Sequence, residues 1–589
     1  MNILLLNLAR FGDILQSRAA VADLIRKGHR VGMVCLENFA PAADLLPGLA
    51  LVAPLPGAIF LACLKSPPDA AGINPGPNRA EEGSDAFPRP SRENWPRALA
   101  VLADFRRSIH AAFPPDIVCN LTPDASAKVL TRFLARGRAC SGFFVDDYGF
   151  GVNGNAWAAF FVGSSLERGI SPFNVVDLFR KIAAGDNACR GSASPERKRA
   201  PNSPPGDVST NGSTHAPVIR SKPPPGGLSL RRPSAAARKS VSGLIKQAGV
   251  KEARAYVAFQ PGASEDRRRW PVEYFAALGD ILWREERLCP LILGGKSERS
   301  LAEAYSALAA HPHIDLCGRT DLPSLSAALC RTKLLVSNDT GTMHLAAGLK
   351  IPILAVFLAT AQPFDTGPYY SGSCCLEPDL PCHPCAFGSR CAHEQRCARL
   401  IRPEFFASLV LSRLRGGDWI LPPAGGADRA RVWVTDFDAA GFMDLRSISG
   451  HEREQRTLWL ALQRDLLRHF LDGRERRRTA PAPELGVEAK TLEAVKRALA
   501  LTELLRQQFE LAQRPAGASA RQRLPGTWRR VYEALNSSPR LRALALLFAQ
   551  ECQGENENAA TGLGGLDGPA QGVENFRLLL ADFCRALEN

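Results

Sequence analysis

Through most of the chain, short apolar runs bounded by turn residues alternate with longer stretches of helical spacing. Ile3 to Asn7 reads as a buried strand, Gly12-Asp13 as a turn, Ile14 to Lys27 as a helix stopped by Gly28, and Arg30 to Cys35 as the next strand. Ile117 to Leu121 (strand) and Asp124 to Ala135 (helix) continue the pattern. It restarts with strands at Tyr256 to Gln260, Pro290 to Leu293, Lys333 to Ser337 and Ile353 to Phe357. Between and around them, helices are predicted over Pro271 to Arg284, Glu298 to Ala310, Leu322 to Cys330 and Met343 to Leu349. Strands that alternate with helices predict α/β architecture with open parallel sheets covered on both faces. From about residue 425 the character changes and the tail reads as mostly helical, with Trp459, Leu462, Leu466 and Phe470, then Leu492, Val495, Leu499 and Phe509 at helical spacing.

Two stretches break the alternation. Residues 65–96 are rich in Pro, Gly and charge and read as a surface insertion. Residues 185–240 have the composition of a disordered linker. The domain plan is therefore 1–184 with the insertion, the basic linker 185–240, a second α/β half over 241–415, and a helical extension over 425–589 of unassigned role. The chain of 589 residues is long enough for two to four domains. Its formal charge of +14 raises nucleic acid or an anionic membrane as partners. Residues 190–240, however, hold ten Lys/Arg against two Asp/Glu, so more than half the excess belongs to a solvated linker and no nucleic-acid partner is expected. The opening MNILLLNLARFGD lacks a basic leader, and no run of 18 apolar residues follows, so neither export nor a membrane span is expected. With sixteen cysteines, a reducing cytoplasm is the expected compartment.

The chemistry concentrates at SNDTGTMHLAAGL, where a strand ends at Ser337 and a helix begins near Thr342. Backbone amides at such a helix start, aided by its dipole, favour an anion. Gly341 permits close approach of a phosphate, and Thr340 and Thr342 add hydroxyl donors. The alternative is that Asp339 or Thr340 merely caps the helix. Asp13 stands after the first strand, at the carboxyl edge where open sheets bind ligands, as a general base or as a simple helix cap. The trio Arg267-Arg268-Arg269 is either a phosphate contact, a nucleic-acid contact or a solvated turn. No DxD-like acidic pair stands where a divalent ion would bridge a diphosphate.

Several of these segments, in one order, resemble the bacterial heptosyltransferases of glycosyltransferase family 9. They are LARFGDILQS, FQPGASEDRRRWP, LILGGKSE, CGRTDLPSLSAAL and VSNDTGTMHLAAGLKIPILAVF, spread over roughly residues 1 to 415. The resemblance implies a GT-B-type fold, two Rossmann-like domains facing a cleft, with acceptor on 1–184 and nucleotide sugar on 241–415. It implies Asp13 as catalytic base, Ser264 and Arg268 at the donor phosphates, and Glu298 beside the nucleoside. It likewise implies Asp339 at the sugar hydroxyls, with Thr340, Gly341 and His344 in the phosphate-binding turn. Arg268 replaces a lysine common there and keeps the charge.

The implied reaction is inverting, metal-independent transfer of heptose from ADP-heptose to a lipopolysaccharide inner-core acceptor, with no cofactor required. It would take place in the cytoplasm at the inner membrane face, with the basic linker as a peripheral membrane contact. The alternatives are a relative using another nucleotide sugar, or a catalytically idle binding or assembly protein. Separately, Cys382, Cys385, Cys391 and Cys397, in a cysteine-rich loop over 374–397, have the density to hold structural zinc or an iron–sulfur cluster, or to form a redox-sensitive loop.

Overall fold

The computed structural model describes residues 1–57, 95–166, 171–184, 218–219, 229–422, 430–473, 485–486, 488–514, 517–550 and 567–588. Two sheets organise the chain. The first runs β6-β5-β4-β1-β2-β3-β7, formed by β1 (Asn2–Leu6), β2 (Arg30–Leu36), β3 (Leu51–Leu55), β4 (Ile117–Asn120), β5 (Ala139–Val145), β6 (Gly151–Asn153) and β7 (Val218–Ile219). β1 to β5 are parallel, and β6 and β7 close the edges antiparallel. The second runs β10-β9-β8-β11-β12-β13-β14-β15, formed by β8 (Ala255–Gln260), β9 (Leu288–Ile292), β10 (Ile314–Asp315), β11 (Leu335–Asn338), β12 (Ile353–Val356), β13 (Cys374–Pro378), β14 (Ala430–Phe437) and β15 (Met443–Ser447).

The strands form where the apolar runs predict them, because a strand covered on both faces needs apolar residues at every position. Leu4, Leu5 and Leu6 of β1 are fully buried, as are Leu335 and Val336 of β11. Each sheet also has a point where strand order reverses. In the first it lies between β1 and β4, in the second between β8 and β11. The carboxyl ends of those strands are where open α/β sheets hold ligands.

Three expected boundaries shift. Gly12 and Asp13 do not precede a helix as a turn. They lie in the first turn of helix Phe11–Gln16, and Ser17 separates it from helix Arg18–Arg26. The insertion expected over 65–96 lies outside the described residues up to 94, and Trp95 begins helix Trp95–Ala112. Much of the linker expected over 185–240 also lies outside them. Its final residues are structured, since the Ser234 hydroxyl accepts from the Ala237 amide at 3.2 Å and starts helix Ala235–Gln247.

The tail is mainly helical but opens with two strands. Residues 430–447 form the β14–β15 hairpin, which continues the second sheet antiparallel to β13. Beyond it helices Gln455–Leu471, Ala489–Ala512, Ala518–Asn536 and Asp567–Glu588 pack around Val495, Phe509, Val531, Phe548 and Phe576. The extension is pinned to the second sheet by Arg456, whose guanidinium meets both oxygens of the fully buried Glu377 at 3.2 Å and Gln362 at 2.8 Å. Among the described residues, no helix is long and apolar enough to cross a membrane.

Candidate active site

A cavity of about 610 Å³ lies between the two lobes, outside both reversal points. Asp13, Ser264, Arg268, Glu298, Asp339, Thr340, Gly341, Thr342 and His344 all line it. The nine expected site residues thus converge on one space, although they lie up to 331 positions apart in sequence.

From the first lobe, helix Phe11–Gln16 brings Asp13 to the cavity. One Asp13 carboxylate oxygen accepts the Arg10 amide at 3.1 Å, so the capping alternative is realised in part while the residue still faces the cleft. Helix Gly341–Leu349 of the second lobe packs alongside it. A β-carbon placed on Gly12 would stand 3.4 Å from the Gly341 α-carbon, and Gln16 bonds His344 across the seam at 3.1 Å.

Gly341 has a different immediate use from the one expected. The space its missing side chain leaves is filled by the Phe11 ring, and any β-carbon there would overlap that ring. Nor does Thr340 act as a cap. It holds the N-cap position in extended conformation without a capping bond, and its hydroxyl lies 3.2 Å from that of Ser337. The amides at the helix start are thus left without a side-chain cap from Thr340, the arrangement an anion site requires.

Arg268 is buried and already engaged. Its guanidinium pairs with Asp339 and donates to the Ser264 hydroxyl at 3.2 Å, while Thr366 donates to the same Asp339 oxygen at 3.3 Å. Asp339 therefore holds the arginine rather than capping the helix. Its neighbours are engaged too: Arg267 with Glu265 and the Ser389 carbonyl, Arg269 with Asp266 and the Ala263 carbonyl. Each of the three arginines is thus tied to its own carboxylate, Arg267 to Glu265, Arg268 to Asp339 and Arg269 to Asp266.

Two residues that the sequence reading passed over set this geometry. Asn338 accepts the Trp270 amide at 2.9 Å and donates to the Pro261 and Gly262 carbonyls, tying loop 261–270 to the end of β11. Gln260 accepts from the Thr342 hydroxyl at 3.0 Å and donates towards the Glu298 carboxylate at 3.3 Å. Glu298 also accepts the Gly295 amide at 2.7 Å, and a side chain on Gly262 would collide with it. Both Asn338 and Gln260 are polar residues at strand ends, the signal by which they could have been found.

The cysteine-rich loop divides. Cys374 and Cys375 are core positions of β13, and burial pushes both thiols up. Cys382 and Cys391 are exposed, Cys385 and Cys397 half-buried. The Cys391 sulfur accepts amides of His393 and Gln395 at 3.4 and 3.3 Å, which hold its thiol below the usual range. Among the described residues, the trio of ligand-type side chains within 4.8 Å of one another is Asp379, His451 and Glu454, not a set of cysteines. Arg431 bridges those two carboxylates at 3.0 and 2.9 Å, so a cation already occupies their midst.

Two α/β lobes with parallel cores, each offering its order-reversal point to a shared cleft, define a GT-B-type protein. Residues 219–395 match glycosyltransferase family 9 (heptosyltransferase). It is 27% identical over 161 residues to lipooligosaccharide heptosyltransferase 2 of Campylobacter jejuni, covering 26% of this chain and 50% of that protein. It is 32% identical over 134 residues to lipopolysaccharide heptosyltransferase 1 of Pseudomonas aeruginosa, covering 22% and 36%. The chain thus spans half or less of the length of these relatives. Among solved structures, a family 9 glycosyltransferase from Veillonella parvula aligns at TM-score 0.44 and 17% identity, covering 68% of this chain and 94% of that one. Escherichia coli heptosyltransferase WaaC with ADP aligns at TM-score 0.37 and 17% identity, covering 63% and 91%.

Proposed function

We propose that this protein transfers heptose from ADP-heptose to a lipopolysaccharide inner-core acceptor, with inversion and without a metal ion. The observation that carries the proposal is one cavity lined from opposite lobes by the Asp13 carboxylate and the start of helix Gly341–Leu349. The names of the relatives supply the sugar and the acceptor.

An acceptor hydroxyl is a weak nucleophile, and Asp13 takes its proton as the bond to the sugar forms. The leaving diphosphate gains negative charge, which the helix amides, the Arg268 guanidinium and the Thr342 hydroxyl stabilise. Arg268 begins on Asp339, so an arriving phosphate shares the guanidinium with that carboxylate or draws it away. Asp339 is then released for the sugar hydroxyls. Glu298, fixed by Gln260 and the Gly295 amide, stands at the nucleoside end. The setting is the cytoplasmic side of the inner membrane, where such an acceptor resides.

In Asp13→Ala, kcat should fall by roughly 10²–10⁴-fold while ADP affinity, measured by titration calorimetry, stays unchanged. Undiminished turnover in that variant would remove Asp13 from the mechanism. Tighter binding of UDP or GDP than of ADP by the wild-type protein would replace the donor.

A further inference from the structure

The wall of the cavity facing the second lobe comes from helix Ala156–Leu166, with Phe161, Ser164 and Ser165, and from Phe173 beside helix Val175–Ala184. Rings and hydroxyls in one wall suit a sugar, which offers an apolar face and a hydroxyl edge. The back of this wall touches the extension. Asp472, at the end of helix Gln455–Leu471 and mostly buried, accepts from the Trp157 indole at 2.9 Å. It also accepts from the Lys181 ammonium at 2.7 and 3.0 Å. Trp157 and Lys181 belong to the two wall helices, so a single carboxylate clamps both.

Aromatic packing continues the grip. Phe442, in the β14–β15 turn, lies 5.8 Å from Trp157 and 5.9 Å from Phe173, ring centre to ring centre. Trp157 meets Phe173 edge-on at 5.1 Å, and the Lys181 ammonium stands 5.3 Å from the Trp157 and Phe442 rings. Further along, Gly163 packs so closely on Leu546 that an added β-carbon would stand 3.1 Å from the leucine's own. Phe173 belongs to this cluster and to the cavity lining at once, so a displacement on the extension side is transmitted to the substrate side.

We propose that the C-terminal extension positions the acceptor: through Asp472 and Phe442 it fixes the wall on which the acceptor sugar rests, making Asp472 a positioning residue for acceptor recognition. This inference rests on the transferase reading. The donor residues between Gln260 and His344 have no part in the Asp472 clamp, so the two substrates should respond differently.

The test is steady-state kinetics on the full chain, with ADP-heptose and heptose-free lipopolysaccharide inner core varied separately, for Asp472→Ala and Gly163→Ala. Gly163→Ala removes no polar group and pushes the wall helix off Leu546, so it carries the test if Asp472→Ala does not fold. Acceptor KM should rise about tenfold in Asp472→Ala, the worth of one charged hydrogen bond, and more modestly in Gly163→Ala. Donor KM and ADP affinity should stay within about twofold. An unchanged acceptor KM, or equal rises for both substrates, overturns the role given to Asp472 and leaves the transferase reading standing. Failure of the wild-type protein to bind ADP at all would instead overturn that reading.

Discussion

The Phe11 ring of one lobe seats on Gly341 of the other, and this contact can be tested by filling the space between them. In Gly341→Ala, the new methyl would stand 3.0 Å from Phe11 Cε2 and nearer still to Cζ and Cε1. Carbon atoms rest at about 3.5–4.0 Å, so the ring has to leave or the lobes have to part. Overpacking of this kind costs about 1–3 kcal/mol, less the small gain in helix propensity from replacing glycine. With Phe11→Ala as background the obstacle is gone, and the same methyl should be tolerated or mildly favourable. Denaturant unfolding of wild type, both single variants and the double variant gives the coupling between the positions, expected at about 1–3 kcal/mol. Additivity within about 0.5 kcal/mol would refute the contact and with it the packing of the two helices against each other.

Two further outcomes follow from buried charge. Arg456→Ala strands the fully buried Glu377 carboxylate, whose tendency to be raised by burial is overcome by Arg456, His383 and the Trp433 indole. Stability should fall by about 3–5 kcal/mol in denaturant unfolding, and a loss below about 1 kcal/mol would contradict the pairing. Asp177 is pushed up to about 6 by burial, against bonds from Tyr369, the Met443 amide and Arg180. Its folded pKa exceeds the unfolded one, so its contribution is full in acid and lost as pH rises through about 6. Wild type should therefore gain about 1 kcal/mol on Asp177→Asn between about pH 7 and pH 5, and parallel pH profiles would refute this assignment.

Most of the parallel framework was legible in the sequence because a strand buried on both faces writes itself as an unbroken apolar run. The hairpin at 430–447 was hidden. ARVWVTDF is a short apolar run of that kind, but it lacks a following α/β crossover, and the strong helical period from Trp459 onward masked it. The candidate site was legible as residue types at strand ends, and Asp13 and Asp339 do line one cavity. What the sequence could not convey was pairing across the cleft. That Gly341 receives Phe11, and that Arg268 rests on Asp339, depend on the approach of segments tens to hundreds of residues apart. No local period encodes that approach.

The seam between the lobes also bears on how ligands come and go. Arg18 donates to the Tyr369 carbonyl at 2.5 Å, Asn174 to the Gly367 carbonyl at 3.1 Å, and Asp177 accepts from the Tyr369 hydroxyl and the Met443 amide at 2.7 and 2.9 Å. Prying the halves apart would give up each of these at roughly 0.5–1.5 kcal/mol apiece, water taking the place of the lost partners. A wide swing is therefore a costly route for traffic. Small movements of the side chains that line the cavity, the exposed Arg10 among them, are the cheaper route.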